Sequence, residues 1–548
     1  MFGCGRWTAL TAGLCVAWGA TAENQAVDER RSPQHYAQSQ DTAGNPEGNP
    51  EQPNIIFVFA DDHAFQAVSA YGSVLNETPN IDRLAGEGIR FERVTVTNSI
   101  CAPSRAVLLT GKHSHLNGQL TNSETFDGEQ PTYPQLLQEA GYETAMIGKW
   151  HLRSDPTGYD HWDILPGQGN YYNPDFLTPE GRVEHTGYVT DIITDKVIEW
   201  LSEERDPDKP FMVNYHHKAP HRNWKPGPDH LTLYDDVEMP EPPTLFDDYS
   251  NRASPASNQE MEIDRHMHFY YDLKVTPRED VELTPNGHMN AAITLLEERL
   301  TEEQREAWDA AYGPKNDAFY EAYEAGMPHE EVVRWKYQRY VKDYLRTIAS
   351  IDDNLGRLLD YLDETGLAEN TLVVYTSDQG FYLGEHGWYD KRWIYEESFA
   401  TPFVARWPGE IEPGGVNGAL VQNLDFAPTL LEAAGIAPPE GMQGRSFVPM
   451  LRGETPEDWR DSVYYHYYES EGPHAVAKHY AVATDRYKLA HFYETGEWEL
   501  LDREEDPLEI NSVYGDPAYA EVQAELKEEL LRLREHYGDD TGEPFTVE

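Results

Sequence analysis

The segment SICAPSRAVLLTGK, residues 99–112, places a cysteine at the start of a predicted helix. Pro103 suits a first helical turn because the backbone N–H that it lacks would have no partner there. A helix start carries partial positive charge and free N–H groups, so it favours an anion and lowers the pKa of a thiol. Arg105, one turn along, is expected to face the same position. Cys101 is thus a candidate reactive group, with a buried inert thiol as the alternative.

Oxygen-bearing side chains follow two predicted strands at the point where each strand ends. Asp61 and Asp62 follow the run IIFVFA, and Asp378 and Gln379 follow the run LVVYTS. Because ligands of doubly wound sheets bind at the carboxyl ends of strands, we expect these side chains to converge. Carboxylate and amide oxygens suit Ca²⁺, with Mg²⁺ as the second choice.

The segment YHHKAPH contains three histidines, His216, His217 and His221, which raises the question of a zinc site. Adjacent residues on a strand point to opposite faces of a sheet, so the first two form a poor chelate. The spacing therefore argues against zinc.

Strand and helix patterns alternate along the chain, which predicts an α/β fold with a mostly parallel sheet flanked by helices. Residues 226–330 interrupt the alternation and are predicted to form long loops and helices over the sheet. A long amphipathic helix is predicted over residues 332–366. The pieces YAVATDRYKLAHFY and EWELLD, followed by a charged helix near residues 522–536, predict a smaller C-terminal α+β subdomain.

These patterns divide the chain into four segments. They are a signal peptide over residues 1–22, a disordered leader or linker over 23–52, a catalytic domain over 53–450 and a C-terminal subdomain over 451–548. The first segment has one arginine, an apolar run and the small residues of ATAEN, which is typical of a cleaved export signal and too short for a membrane span. We therefore expect an exported protein, periplasmic or secreted, with no membrane span.

The chain is strongly acidic, with 97 Asp and Glu against 43 Lys and Arg and a formal net charge of −54. A surface of this charge argues against nucleic acid as a partner. An anionic substrate would need positive charge concentrated in its site. After removal of the signal, Cys101 would be the only cysteine, so no internal disulfide is expected.

Two motifs resemble the signatures of a known family. CAPSR at 101–105 resembles the first signature of the formylglycine-dependent (type I) sulfatases of the alkaline phosphatase superfamily, and GYETAMIGKWHL at 141–152 resembles the second. The resemblance covers most of residues 53–510, including TPNIDRLAGEGIRF and SDQGFYLGEHGWYDKRWIYEES. It is strongest to bacterial polysaccharide and glycosaminoglycan sulfatases. It implies an alkaline-phosphatase-like fold with a mixed, mostly parallel sheet.

The resemblance implies specific cofactors and site residues. Cys101 would be converted to Cα-formylglycine by a maturation enzyme that reads Pro103 and Arg105. The implied catalytic residues are Cys101, Arg105, Lys149, His151, His221 and Lys391. The implied metal ligands are Asp61, Asp62, Asp378, Gln379 and the modified Cys101. Gln379 departs from the asparagine or histidine of many members and reaches one methylene further.

The implied reaction is hydrolysis of a sulfate ester on an algal or glycosaminoglycan carbohydrate. A hydroxyl of the formylglycine hydrate would attack sulfur, while His221 and Lys391 stabilise or protonate the leaving oxygen. His151 would take the proton of the second hydroxyl, and Lys149 and Arg105 would hold charge.

Two other functions stay open at this point. One is a phosphonate or phosphodiester hydrolase of the same superfamily, and the other is a noncatalytic protein that binds sulfated glycans. Among further residues, His113 and His115 are expected at or beside the pocket, and His386 and His479 are candidate sugar contacts. Trp388 and Trp393 are predicted to pack in the interior, with stacking on sugar rings as the alternative.

Overall fold

The computed structural model describes residues 52–546, except residues 280, 282, 284–298 and 471. The predicted signal peptide and all but the last residue of the predicted leader lie outside the described residues. The described residues belong to one compact unit. The predicted division at residue 451 stays a prediction.

The sheets are built from short strands, most of them apolar and buried. In chain order the strands of the described residues are β1 Asn54–Ala60, β2 Ile89–Phe91, β3 Val94–Thr95, β4 Glu143–Lys149, β5 His161–Leu165, β6 Asp175–Thr178, β7 Gly181–Glu184, β8 Phe211–His216, β9 Thr371–Ser377, β10 Tyr382–Leu383, β11 Tyr389–Asp390, β12 Phe403–Arg406, β13 Gly415–Asn417, β14 Val421–Gln422, β15 Ser462–Tyr467, β16 His479–Thr484, β17 Tyr487–Phe492 and β18 Glu497–Asp502.

The helices vary widely in length. In chain order those of the described residues are α1 Pro79–Gly86, α2 Cys101–Thr110, α3 Ser114–Asn117, α4 Tyr133–Glu139, α5 Val189–Glu199, α6 Pro255–Asn258, α7 Glu302–Glu324, α8 His329–Thr365, α9 Glu396–Phe399, α10 Phe426–Ala433, α11 Val448–Leu451 and α12 Ala520–Tyr537.

A ten-stranded mixed sheet forms the centre of the molecule, in the order β13-β2-β12-β9-β1-β8-β4-β5-β6-β7. The central strands β9, β1, β8, β4 and β5 are parallel, and β12, β6 and β7 add antiparallel pairs. The prediction of a mostly parallel α/β sheet is confirmed.

Helices cover both faces of this sheet because its central strands are apolar on both sides. Along β1, Phe57 and Phe59 pack into a core with α2, α4 and α10, while Ile56 and Val58 pack into a core with α1, α5 and α8. The alternation of side chains along a strand sends neighbours to opposite faces. The sheet is therefore a fixed platform between two helical layers.

The C-terminal part of the described chain forms a four-stranded antiparallel sheet, β15-β16-β17-β18. One face packs on α12 through Leu526, Leu530 and Leu533, and the other packs on an aromatic cluster that includes Trp388 and Trp393. The predicted smaller α+β unit at this end of the chain is confirmed. In the described residues, no helix is both long enough and apolar enough to cross a membrane.

Candidate active site

The carboxyl ends of β1 and β9 bring four predicted metal ligands to one edge of the sheet. The two strands are parallel neighbours, and Ala60 is paired with Ser377. Asp61 and Asp62 follow one strand and Asp378 and Gln379 the other, so strand register alone places them together. All four side chains are buried, with exposed fractions of 0%.

Three buried carboxyl groups lie close together at this edge of the sheet. One oxygen from each of Asp61, Asp62 and Asp378 lies within 4.8 Å of the others. Burial raises the pKa of Asp62 to about 6 against the opposing effect of Lys391, and burial together with Asp61 raises the pKa of Asp378 to about 8. Burial alone would also raise the pKa of Asp61, but Lys149, His221 and Arg105 outweigh it and hold that pKa well below its usual range.

Two acceptor oxygens in this group have no hydrogen-bond partner among the described residues: Asp61 Oδ1 and Gln379 Oε1. The Gln379 amide nitrogen instead donates to Asp62 and, at 2.7 Å, to Asp378 Oδ1. Buried polar atoms without partners are costly. A divalent cation that prefers oxygen ligands fits this donor set, because it would satisfy both oxygens and favour the ionised form of all three carboxyl groups.

Three cations hold the carboxylates in place. Lys149 Nζ binds Asp61, and Lys391 Nζ lies 2.7 Å from both oxygens of Asp62. Arg105 Nη2 lies 3.0 Å from Asp378 and 3.5 Å from Asp61.

Arg105 occupies the interior beside these carboxylates. Its Nη1 donates to the Lys149 carbonyl at 2.8 Å, and only 2% of the side chain is exposed. It therefore fixes the acidic group rather than lining the open pocket.

Cys101 is the first residue of α2 and is fully buried. Its Sγ belongs to a second group with Asp61 and His221, again within 4.8 Å, and lies 3.9 Å from Gln379 Nε2. The expectation of a lowered thiol pKa is wrong: burial raises the pKa of Cys101, and the nearby Lys149 only partly opposes this. Since the thiolate is the nucleophilic form, an unmodified Cys101 is poorly suited to attack.

His221 stands at the boundary between this group and the pocket. Its Nδ1 lies 2.6 Å from the Arg222 carbonyl, which can only accept, so Nδ1 carries the proton and Nε2 faces Asp62 Oδ2 at 3.9 Å. Burial, followed by Lys149, lowers the pKa of His221 well below its usual value. The imidazole is therefore neutral until a negative ligand arrives.

His151 follows Lys149 at the end of β4 and has a left-handed backbone with φ of 59°. Such a conformation is uncommon outside glycine and is found at functional sites. Its Nδ1 is buried without a partner among the described residues, and burial and Lys149 lower its pKa well below the usual value. His151 thus offers a neutral ring beside the acidic group.

A cavity of about 700 Å³ opens over Cys101, His221 and Lys391. Its wall carries more positive than negative side chains. The cations are Arg153, Arg222, Lys391, Arg392 and Lys478, and the carboxylates are Asp390 and Glu469. The surplus of positive charge is local, in a chain of net charge −54.

Sequence reasoning missed most of this wall. Arg222 directly follows His221, Arg392 directly follows Lys391, and Arg153 comes two residues after His151, so proximity to a motif was the available signal. Glu469 comes from the C-terminal part and accepts hydrogen bonds from Arg392 at 3.0 Å and the Asn122 N–H at 2.9 Å. No local pattern links these distant segments.

The expectation that His113 and His115 line or flank the pocket is wrong. The His113 ring packs on Tyr537 with centroids 4.3 Å apart, and His115 Nε2 lies 2.9 Å from the Tyr537 carbonyl. Both histidines pack against the end of α12 because α3 faces the C-terminal part rather than the cavity.

The aromatic candidates also lie in the interior. Trp388, Trp393, His386 and His479 are all 0% exposed and absent from the cavity wall. The rings of Trp388 and Tyr395 stack at 5.8 Å, and Trp393 and His479 lie 5.4 Å apart. The prediction that the tryptophans pack is confirmed, whereas sugar contacts by the two histidines are excluded by burial.

The structure gives no support to a zinc site in YHHKAPH. His216 packs against Phe59 on one side of the sheet, and His217 packs against Tyr215 on the other. In the part of the chain that the structure describes, His221 groups with Asp61 and Cys101 and not with the other two histidines.

Comparisons with known proteins match nearly the whole described chain. A family model described as Sulfatase matches residues 53–436, and one described as N-sulphoglucosamine sulphohydrolase, C-terminal, matches residues 384–536. An N-acetylglucosamine-6-O-sulfatase of Bacteroides thetaiotaomicron is 47% identical over 504 residues, which cover 91% of this chain and 89% of that protein. An ulvan-active sulfatase of Formosa agariphila is 24% identical, covering 90% and 83%.

The solved structures include a similar chain with a ligand. The structure of BT4656 in complex with its substrate D-glucosamine-2-N,6-O-disulfate has a TM-score of 0.85 and 46% identity. The match covers 90% of this chain and 99% of that chain.

Proposed function

The chain belongs to the sulfatase family and is a sulfuric ester hydrolase, and we propose that it removes the 6-O-sulfate of a glucosamine unit in a sulfated carbohydrate. The observation that carries this proposal is the cavity in which a positive wall, Cys101 and the acidic group meet. The similarity to a 6-O-sulfatase across both chains supports the position of the ester.

We propose the same cofactors that the sequence motifs imply, namely Ca²⁺ or Mg²⁺ and a formylglycine derived from Cys101. Asp61, Asp62, Asp378 and Gln379 would hold the cation. The cation would supply a Lewis acid for the sulfate oxygens, and the modified residue would supply a nucleophilic hydroxyl. The raised thiol pKa supports the need for such a modification.

The positions of the other site residues suggest a separate role for each of them in binding, proton transfer or positioning. Lys391 borders both Asp62 and the cavity, so its ammonium can bind a sulfate oxygen without leaving the acidic group. His221 presents Nε2 at the cavity wall and can hold a proton there for the leaving oxygen. Lys149 and Arg105 keep the carboxylates fixed, which preserves the geometry that the charged transition state requires.

His151 is suited to accept the proton of the second hydroxyl of the formylglycine hydrate. Its ring lies at the end of β4 beside Lys149, and its pKa is held low, so it stays available as an acceptor near neutral pH. We further propose that residues 1–22 direct export of the chain, that the mature protein is periplasmic or secreted, and that a maturation enzyme converts Cys101.

The experiment measures sulfate release by calcium-loaded protein in which conversion of Cys101 has been established by mass. The substrates are N-acetylglucosamine 6-sulfate, an algal sulfated oligosaccharide and a phosphonate ester, each compared with Cys101→Ala. We expect release from the glucosamine substrate and a loss of at least about a thousandfold in the variant, since the nucleophile is removed. Cleavage of the phosphonate ester with no sulfate release would refute the proposal.

A further inference from the structure

A second cavity of about 140 Å³ adjoins the active-site cavity and is distinguished by its charge. We call it the Lys218 cavity, and its wall consists of Gln168, Gly169, Asn170, Tyr171, Tyr172, Lys218, His221, Arg222, Asn223, Lys225 and Tyr271. Three of these residues are Lys or Arg and none is Asp or Glu. In so acidic a protein, a wall of this composition favours an anion.

The two cavities share part of their walls. Gln168, His221, Arg222 and Tyr271 line both of them. A sugar whose ester lies over Cys101 would therefore have His221 and Arg222 beside it, and the same two residues also line the Lys218 cavity. Another substituent of the same substrate can enter it.

Lys218 is a buried lysine of this wall whose ammonium group has no carboxylate partner among the described residues. Its side chain is 3% exposed, and its ammonium lies 4.6 Å from the centre of the Tyr171 ring. Within the described residues it makes no ion pair, whereas Arg222 is bound through two nitrogens to Asp272 at 2.6 and 2.7 Å. Burial, followed by Lys149, lowers the pKa of Lys218 to about 7. A buried ammonium without a carboxylate is costly unless a ligand supplies the charge.

Neighbouring groups keep the cavity in shape. Tyr171 donates to the His221 carbonyl at 2.6 Å, Tyr172 to the Pro226 carbonyl at 2.7 Å and Tyr188 to the Lys225 carbonyl at 2.9 Å. These phenols fix the segment that carries the lysines. Gln168 Oε1 is buried with no partner among the described residues, so it can accept from an N–H or O–H next to the anion.

We propose that the Lys218 cavity binds a second anionic group of the substrate, through the ammonium groups of Lys218 and Lys225. This inference rests on the proposed function, since it concerns the same sugar or the sugar joined to it. The group is either a sulfamate on the glucosamine or the carboxylate of an adjoining uronic acid. Both carry the same charge and differ in where they are attached.

The test compares three substrates that share the 6-sulfate. They are N-acetylglucosamine 6-sulfate, glucosamine-2-N,6-O-disulfate and a disaccharide of 6-sulfated N-acetylglucosamine with a uronic acid. The variants are Lys218→Gln and Lys225→Gln, and the control is Lys209→Gln, a lysine on an exposed turn. Thermal unfolding of each variant establishes that it is folded.

We expect each variant to lower kcat/KM about tenfold for a doubly charged substrate, mainly through KM, because one charged hydrogen bond is lost. The singly charged substrate should change less than about threefold. A loss confined to the disulfate identifies the sulfamate, and a loss confined to the disaccharide identifies the carboxylate. Equal losses on all three substrates, or no loss on any, would overturn the proposal.

A binding measurement separates this inference from the proposed function. Calorimetry with Cys101→Ala protein and glucosamine N-sulfate, which lacks the 6-sulfate, reports on the Lys218 cavity without catalysis. Binding that weakens about tenfold in Lys218→Gln supports the subsite even where no sulfate is released. If the enzyme releases sulfate but Lys218→Gln and Lys225→Gln change neither binding nor kcat/KM, the subsite is refuted. The proposed function is then still supported.

Discussion

Single residues at the ends of β1 and β9 determine the pH range in which the proposed cation could bind. Without a cation, the pKa of Asp62 is about 6 and that of Asp378 about 8, because burial and mutual repulsion favour the protonated forms. Metal ligands must lose their protons, so protons compete with the cation below these values. Folded Asp378 holds its proton up to about pH 8, and the metal-free protein loses stability as the pH rises towards that value.

The affinity for the calcium ion that we propose should therefore rise between pH 6 and pH 8, by roughly tenfold per pH unit while one proton is displaced. The measurement is the calcium-induced increase in Tm, with a chelator as reference, at pH 6 and at pH 8. We expect the larger increase at pH 8. In Asp378→Asn the increase should be small at both values, since a proposed ligand and its ionisable carboxyl group are both lost. An equal increase at both pH values in the wild type would contradict this account.

At the scale of secondary-structure elements, one helix stabilises another by capping it. The start of α1 is an example. Thr78 precedes this helix but makes no side-chain cap. The carboxylate of Asp352, on α8, instead accepts from the backbone N–H groups of Asn80 at 3.0 Å and Ile81 at 2.9 Å. A helix start leaves such groups without internal partners. The long helix α8 therefore supplies the N-terminal cap of the short helix α1.

Asp352→Ala should destabilise the protein by about 1–2 kcal/mol, the usual cost of losing a cap. Asp353→Ala is the matched control, because Asp353 is the next residue on α8, its side chain is exposed, and its one ion pair within the described residues is with His230 at 3.1 Å. Pairs of this kind contribute roughly 0–1 kcal/mol. The comparison is made by Tm. Equal effects of the two substitutions would show that the capping contacts contribute no more than the exposed side chain of the control.

The helices and strands show which features sequence patterns can predict. The helix predicted over residues 332–366 is observed at His329–Thr365, and that near 522–536 is observed at Ala520–Tyr537. Apolar periodicity and end signals are local, so they survive folding. The convergence of the side chains that follow β1 and β9 was predicted from the polar residues at the end of each strand, whereas the pairing of the two strands is a finding of the structure. Sheet order and the aromatic cluster under Trp388 depend on contacts between distant segments and were not predictable.

At the scale of the whole molecule, the site depends on segments that the sequence keeps far apart. The motif residues from Asp61 to Lys391 could be named from sequence, but the cavity wall also needs Glu469 from beyond β15. The Lys218 cavity could not be predicted, because the sequence does not distinguish a buried lysine from an exposed one. The raised pKa of Cys101 likewise depends on burial, which overrides the local effect of the helix start.

Burial of neutral histidines throughout the molecule should govern its stability in acid. Burial lowers the pKa values of His113, His217 and His479 to about 3. The unfolded chain takes up these protons near pH 6.5, before the folded protein does, so the contribution of these histidines to stability is full above that pH and falls towards pH 3. Each histidine costs up to about 1.4 kcal/mol per pH unit in this range.

His217 offers the cleanest test because neither ring nitrogen has a hydrogen-bond partner among the described residues. In His217→Leu, the fall in Tm from pH 7.5 to pH 5.5 should be smaller than in the wild type, since one proton-binding group is removed from the unfolded chain. His329→Leu, at a residue whose side chain is 73% exposed, is the control for removal of a histidine from the surface. The titrating carboxylates are the same in all three proteins, so they cancel in the comparison. If His217→Leu and the wild type fall by the same amount, protonation of buried histidines is not what limits stability in acid.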